Sequence, residues 1–306
     1  MKVLAIFGPT GVGKTAVAIA LAELLRTRGE EPVAISCDAI QVYRGLETLS
    51  GAATADERAR LEHRLVGFVE VGDEFSAGRF AALAHAEIDG LLAEGRRPIV
   101  VGGTGLYLRA ALTDLDLRPP VPPDVRAAVE REIADRGPEV LHSELDAEIA
   151  ATVHPRDRKR VARVLELQRA GIDPPRDSER LWTADLRHPT ALIGLVVDRE
   201  ELAARIDARV DAMLTAGAAD EARSAVGAGA SRTARAALGF DALLANDVEA
   251  IKRAHRAYAR RQLTWMRKMP RVELIDRTSR EDGEVAREIV GLLGENGGPM
   301  EEAATG

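Results

Sequence analysis

Near the start of the chain, Gly8-Pro9-Thr10-Gly11-Val12-Gly13-Lys14-Thr15 fits the pattern GxxxxGK[ST] between an apolar run and an amphipathic one. That spacing suits the holding of phosphate. The glycines let successive backbone N–H groups converge on one anion, a helix opening at Lys14 adds its positive end, Lys14 supplies a point charge, and the Thr15 hydroxyl can reach Mg²⁺. A second chemical group, Asp38, closes the next apolar run. If the two runs are neighbouring strands, Asp38 faces the same crevice as the loop. A carboxylate there serves as a base or a metal ligand, or else it caps a turn by accepting from nearby N–H groups. Phosphoryl transfer would require a further acid at a neighbouring strand end to hold Mg²⁺. The run 98–101 ends instead in Gly102-Gly103-Thr104-Gly105, where no carboxylate stands.

These groups must be positioned by alternating strands and helices. Val3–Phe7 and Pro32–Ser36 read as strands, 16–25 and 80–92 as helices, 98–101 as a buried strand, and a helix begins near Gly105. The pattern predicts a P-loop NTPase-like α/β fold, a parallel sheet covered by helices with its ligand beyond the carboxyl ends of the strands. Four of the six residues 118–123 are proline, which marks a hinge. Beyond it, 124–135, 139–152 and 156–169 have helical spacing with charged outer faces and apolar faces that make one shared seam. Alternation resumes with a strand at 190–197 and a helix at 200–214, followed by helical segments 219–225, 232–244 and 248–267 and a last strand at 272–275. The expected organisation is a catalytic core of residues 1–118 and 189–294, an inserted all-helical domain of residues 119–188, and a flexible tail at 295–306.

Composition narrows the partners and the compartment. With 306 residues and a net charge of -7, the chain has no global electrostatic attraction for nucleic acid. Residues 251–271, however, carry eight Lys or Arg and no Asp or Glu, so one face is basic. Cys37 is the sole cysteine, which excludes an internal disulfide and fits a reducing cytosol. The first apolar run is too short for a signal peptide and no long uncharged span follows, so a cytoplasmic protein without membrane contact is expected. No apolar seam is left over for a partner copy, and a monomer is expected.

Several blocks taken together resemble the tRNA dimethylallyltransferases. They are Gly8 to Thr15, Asp38-Ala39-Ile40-Gln41-Val42-Tyr43, Gly102-Gly103-Thr104-Gly105-Leu106-Tyr107, His154-Pro155 with the run 160–166, Asp198-Arg199, and Arg260-Arg261-Gln262-Leu263-Thr264-Trp265-Met266-Arg267. The resemblance implies transfer of a dimethylallyl group from dimethylallyl diphosphate to N6 of adenosine 37 in the tRNA anticodon stem-loop. It implies a helical insertion that swings onto that stem-loop. The loop then binds a leaving group, which explains the missing acid at Gly102. On this resemblance Asp38 is the base, Arg199 stabilises the diphosphate and Thr10 touches the diphosphate or Asp38. Gln41 and Tyr43 shape the adenine pocket, although Tyr43 taken alone reads as a core residue. Gly102, Gly103, Thr104, Arg160, Arg260, Arg261, Gln262 and Arg267 serve the substrate and RNA side.

The chain departs from the family pattern after this block. Ala39 stands where the family has Ser, and Thr48, Leu49, Ser50, Gly51 and Ala52 replace Ile-Gly-Thr-Ala-Lys in a loop expected near the tRNA. Two other enzymes remain open on sequence: an isopentenyltransferase acting on free adenine nucleotides, and a P-loop small-molecule kinase whose insertion is a lid. A non-enzymatic RNA adaptor is a third reading, disfavoured by the joint presence of Lys14, Thr15 and Asp38.

Overall fold

The computed structural model describes residues 1–174 and 179–295. These residues form two compact units, Leu115–Thr183 and the remainder on either side of it. The larger unit is built on a six-stranded parallel sheet: β1 (Val3–Phe7), β2 (Pro32–Ser36), β3 (His63–Arg64), β4 (Arg97–Gly102), β5 (Thr190–Val196) and β6 (Glu273–Asp276). Its order is β3-β2-β4-β1-β5-β6. β1 and β2 are therefore not neighbours. β4 lies between them, pairing Ile6 with Val101 on one side and Ser36 with Val101 on the other.

Alternation along each strand explains how the sheet is covered. Leu4, Ile6, Ala34, Ile99, Val101, Ile193 and Leu195 pack with Val17, Leu21 and Leu25 of the helix Lys14–Arg26 and with Val285, Ala286 and Ile289 of the helix Asp282–Glu295. The alternate residues Ala5, Phe7, Ile35 and Val100 are also fully buried, so the second face is covered as well. The helices Ala77–Ala93 and Gly105–Leu112 pack on each other and on β4. Burying both faces requires the continuous apolar runs seen in the sequence.

The smaller unit has its own core of Val129, Ile133, Leu141, Leu145, Val153, Val161, Val164 and Leu165. Its helices are Pro123–Arg136, Pro138–His142, Ala147–Ala150 and Arg158–Arg169. The single helix expected at 139–152 is two short ones. Ser143 Oγ donates back to Val140 O at 2.6 Å and the His142 ring bonds Val153 O at 2.8 Å, so local side-chain bonds end the first helix.

The expected exit at residue 188 falls inside the larger unit, which resumes at Ala184. Arg187 binds Asp89 and Asp114 there, and His188 binds Asp89. The entry expected at residue 119 likewise moves back to Leu115. The helix expected at 232–244 is also divided, into Arg232–Arg235 and Phe240–Leu244, because Gly239 at φ 80° turns the chain between them. Residues 175–178 and the tail after Glu295 lie outside the described residues. Among the described residues, no helix is long and apolar enough to cross a membrane.

Candidate active site

The loop after β1 turns on Gly11 and Gly13, whose φ angles of +82° and +86° are left-handed and suit glycine. Gly13 caps the helix Lys14–Arg26 without any side-chain acceptor for the first-turn N–H groups. An anion is the natural complement of such an end. Lys14 Nζ lies across the loop, donating to Gly8 O at 3.0 Å and Pro9 O at 3.1 Å. Burial, reinforced by the positive charge of Arg209, lowers the Lys14 pKa to about 8. Such a lysine gains when a multiply charged anion arrives.

Asp38 follows β2 and Cys37. Its Oδ1 accepts from Ile40 N at 2.9 Å and Gln41 N at 3.3 Å, while Oδ2 accepts from Thr104 Oγ1 at 3.2 Å. Thr104 in turn shares a 3.2 Å hydrogen bond with the Tyr258 hydroxyl, whose pKa burial raises to about 12. One carboxylate oxygen is thus fixed by turn amides and the other points to the end of β4. The meeting of Asp38 with Thr104 does not need β1 beside β2. β4 brings Thr104 to Asp38, and the same strand pairs with β1 at the phosphate loop.

Glycines after β4 allow this approach. A Cβ on Gly102 would lie 2.4 Å from Cys37 O, one on Gly103 2.1 Å from Gln262 Nε2, and one on Gly105 2.3 Å from the Trp265 ring. Gln262, on the helix Val248–Met266, is 4% exposed. Its Oε1 accepts from Thr10 N at 2.7 Å and its Nε2 donates to Gly103 O at 2.8 Å. Both ends of the amide are engaged in tying the phosphate loop to the β4 loop.

Three further candidates, Tyr43, Gln41 and Arg199, are placed as follows. Tyr43 is fully buried, with its hydroxyl bonded to Asp73 O at 3.2 Å and Thr233 at 2.5 Å, so it cannot stack on a base and is a core residue. Gln41 is also engaged: its Oε1 accepts from Ser36 Oγ at 2.7 Å and its Nε2 donates to Gly51 O at 3.2 Å. Arg199 is exposed on the first turn of the helix Arg199–Thr215, beside Glu200 and Glu201. The arginine whose charge bears on Lys14 and Asp38 is Arg209, about 15 Å farther along that helix and next to its buried Ile206 and Val210. Its guanidinium reaches the carbonyls of Ser50 and Gly51 at 3.4 and 3.5 Å, and burial lowers its pKa. A helical period counted from the buried face would have pointed to residue 209.

The divergent stretch Thr48 to Ala52 includes the end of the short helix Glu47–Ser50. Glu221 accepts from Thr48 N at 2.9 Å and Leu49 N at 2.8 Å, and Gly51 leaves no room for a Cβ beneath Arg209. Of the basic candidates, Arg260, Arg261 and Arg267 are exposed on or at the end of the helix Val248–Met266, with Arg261 over the Tyr258 ring at 5.5 Å. Arg160, in the smaller unit, is exposed and pairs with Asp157 at 3.5 Å.

A family model described as IPP transferase matches residues 41–269, and one described as isopentenyl transferase matches residues 1–66. A tRNA dimethylallyltransferase of Anaeromyxobacter dehalogenans (strain 2CP-C) is 43% identical over 281 residues, 88% of this chain and 92% of that one. The tRNA dimethylallyltransferase of Kineococcus radiotolerans is 38% identical over 309 residues, 96% of each chain. Among solved structures, the full-length tRNA isopentenylpyrophosphate transferase of Bacillus halodurans superposes with a TM-score of 0.68 at 32% identity, covering 96% of this chain and 97% of that one. A eukaryotic dimethylallyltransferase acting on tRNA gives a TM-score of 0.77 at 26% identity, covering 98% and 81%. Matches of this extent across both flanks of the site place the chain in the family of the tRNA dimethylallyltransferases, the IPP transferases.

Proposed function

We propose that this enzyme transfers the dimethylallyl group of dimethylallyl diphosphate to N6 of adenosine 37 in the tRNA anticodon loop, releasing diphosphate. The observation that carries the reading is the pairing of a phosphate loop with a carboxylate held at Thr104, with no acid in Gly102-Gly103-Thr104-Gly105 where a phosphoryl-transfer enzyme would hold its metal. In the reaction the allylic carbon–oxygen bond breaks with its electron pair going to diphosphate. The N6 lone pair forms the carbon–nitrogen bond, and the amine proton passes to the Asp38 carboxylate. The loop amides, Lys14 and Arg209 stabilise the charge that collects on the leaving group, with the Thr10 hydroxyl as a further contact.

The donor set suits Mg²⁺ as an ion carried largely by the substrate. The Thr15 hydroxyl would hold the ion from the protein side, and the rest of its oxygen ligands would come from substrate and solvent. Among the described residues, no cluster of three His, Cys, Asp or Glu side chains forms a separate metal cage. When bound, Mg²⁺ neutralises charge on the departing diphosphate.

The strand order, with the phosphate loop at the carboxyl end of a central β1, supports grouping the larger unit with the P-loop nucleotide-binding folds. We assign the smaller helical unit, with exposed Arg160, to the anticodon stem-loop, and the exposed Arg260, Arg261 and Arg267 to tRNA phosphates. We take the protein to act as a cytoplasmic monomer.

Incubation with Mg²⁺, dimethylallyl diphosphate and unmodified tRNA, AMP or ATP tests the assignment. A dimethylallyl-sized mass gain is expected on adenosine in tRNA. Gain on AMP alone would replace the tRNA reading with a free-nucleotide one, and ATP turnover without transfer would replace it with a kinase.

The basic face makes a separate expectation. Alanine at Arg260, Arg261 and Arg267 together should lower the slope of log affinity against log salt by about 2, since each phosphate contact releases counterions. Filter binding across a salt series measures it, and an unchanged slope would remove these residues from the RNA surface.

A further inference from the structure

We propose that Arg277 is a positioning residue for the diphosphate: from behind the phosphate loop it aims the N–H groups of Gly13 and Lys14 at the leaving group. Arg277 follows β6, where its own N–H continues the ladder to Val196 O at 2.9 Å. It is 5% exposed, and its Nη1 donates to Val12 O at 2.6 Å and Gly13 O at 3.2 Å. Its Nη2 donates to Asp282 Oδ1 at 2.9 Å, at the start of the helix Asp282–Glu295.

The consequence follows from the peptide plane. In a trans peptide the C=O and N–H point to opposite sides. The carbonyls of Val12 and Gly13 belong to the peptides that carry the N–H groups of Gly13 and Lys14. Tethering both carbonyls to one buried guanidinium therefore turns both N–H groups the other way, towards the anion side of the loop. Gly13 O already accepts from Val17 N at 3.1 Å, so the guanidinium is not needed to satisfy that carbonyl. It sets direction and adds a positive charge behind the loop. Arginine suits the task because its planar fork reaches two carbonyls and a carboxylate at once, whereas a lysine is a single point. The fit is close: a Cβ on Gly13 would lie 2.0 Å from Arg277 Nη1.

The identity of the anion rests on the function proposed above, so the test uses a ligand that does not depend on transfer. Inorganic diphosphate is titrated calorimetrically into the full chain carrying Arg277→Gln, Arg277→Lys or Asp282→Asn. Transfer from dimethylallyl diphosphate to tRNA is followed in parallel. Arg277→Gln should weaken diphosphate binding about 10- to 100-fold, the range of charge-assisted hydrogen bonds. Its tRNA affinity should stay within about twofold, and Arg277→Lys should recover part of the loss because it keeps the charge but not the fork. Asp282→Asn leaves the guanidinium on the loop and removes an opposing charge, so diphosphate should bind more tightly. That last variant keeps the test open if Arg277→Gln does not fold. Wild-type diphosphate affinity in a folded Arg277→Gln protein would overturn the proposal, as would equal losses for diphosphate and tRNA, or unchanged or weaker binding by Asp282→Asn. Absence of transfer by the wild type would instead overturn the functional reading while leaving the diphosphate titration intact.

Discussion

Asp38→Asn is expected to lower single-turnover prenyl transfer about 10²- to 10⁴-fold, the usual cost of removing a general base, while Kd for tRNA and for dimethylallyl diphosphate changes by less than about tenfold. The variant should keep its place. An Asn Oδ1 still accepts from Ile40 N and Gln41 N, and its amide can donate to Thr104 Oγ1 where the carboxylate now accepts. What it loses is the capacity to take a proton. The exocyclic amine of adenine is a weak nucleophile because its lone pair is delocalised into the ring. Removing its proton as the carbon–nitrogen bond forms therefore lowers the barrier, and binding alone gains nothing from it. Rapid-quench measurement under single turnover, with both Kd values determined separately, checks the split. Near-normal transfer by the variant would leave Asp38 only an ordering role.

Lys14→Ala should abolish measurable binding of dimethylallyl diphosphate and leave tRNA affinity within about threefold. In the free protein the ammonium is half-buried and lies on the carbonyls of Gly8 and Pro9. It is a positive charge within the phosphate loop itself, and charge-assisted bonds to phosphate are the strong ones. Its pKa of about 8 also fixes a pH dependence. Below pH 8 the free protein already carries the proton that the diphosphate requires. Above pH 8 binding must take a proton up, so Kd should rise, approaching tenfold per pH unit. Calorimetric titration from pH 7 to 10 reads this directly, and proton uptake should appear as a buffer-dependent enthalpy. Lys14→Arg, charged throughout, should bind with a flat profile over that range. A wild-type Kd independent of pH would show that Lys14 keeps its proton throughout this range, and unchanged diphosphate binding by Lys14→Ala would show that Lys14 does not hold the diphosphate.

Much of this architecture is legible in the residues because it depends on local pattern. The apolar runs of β1, β2, β4 and β5, the glycine-rich loop before Lys14 and the proline cluster ahead of the helical unit each act within a few positions. The order of strands is another matter. Nothing local states that β4 enters between β1 and β2, since that choice is made by how whole strand–helix units pack. Short elements are hidden for a related reason: the two residues of β3 and the four of Glu47–Ser50 are too few to show a period. Side chains that act across long separations are the least legible. Gln262 and Arg277 reach the phosphate loop from more than 250 residues away. Arg199 sits in a recognisable dipeptide, whereas Arg209 is distinguished only by standing beside the buried face of its helix. Tyr43 shows the opposite case, a residue that read as core on its own character and whose ring is fully buried.

The strand inserted between β1 and β2 also acts as a ruler. Adjacent strands lie about 4.8 Å apart, so the carboxyl ends of β1 and β2, with β4 between them, are separated by about 10 Å. The reacting array is at least as long: a hydrogen bond of about 3 Å from base to amine, an approach of about 3 to 3.5 Å from amine to carbon, the breaking carbon–oxygen bond with its phosphate, and a further bond of about 3 Å from phosphate oxygen to amide donor. Had β1 and β2 been adjacent, one strand spacing would have set Asp38 against the diphosphate itself, with no width for a five-carbon group and two carriers of negative charge in contact. The intervening strand doubles the spacing between the phosphate loop and Asp38. Substituents that widen the isoprenoid at its reacting carbon should therefore be resisted.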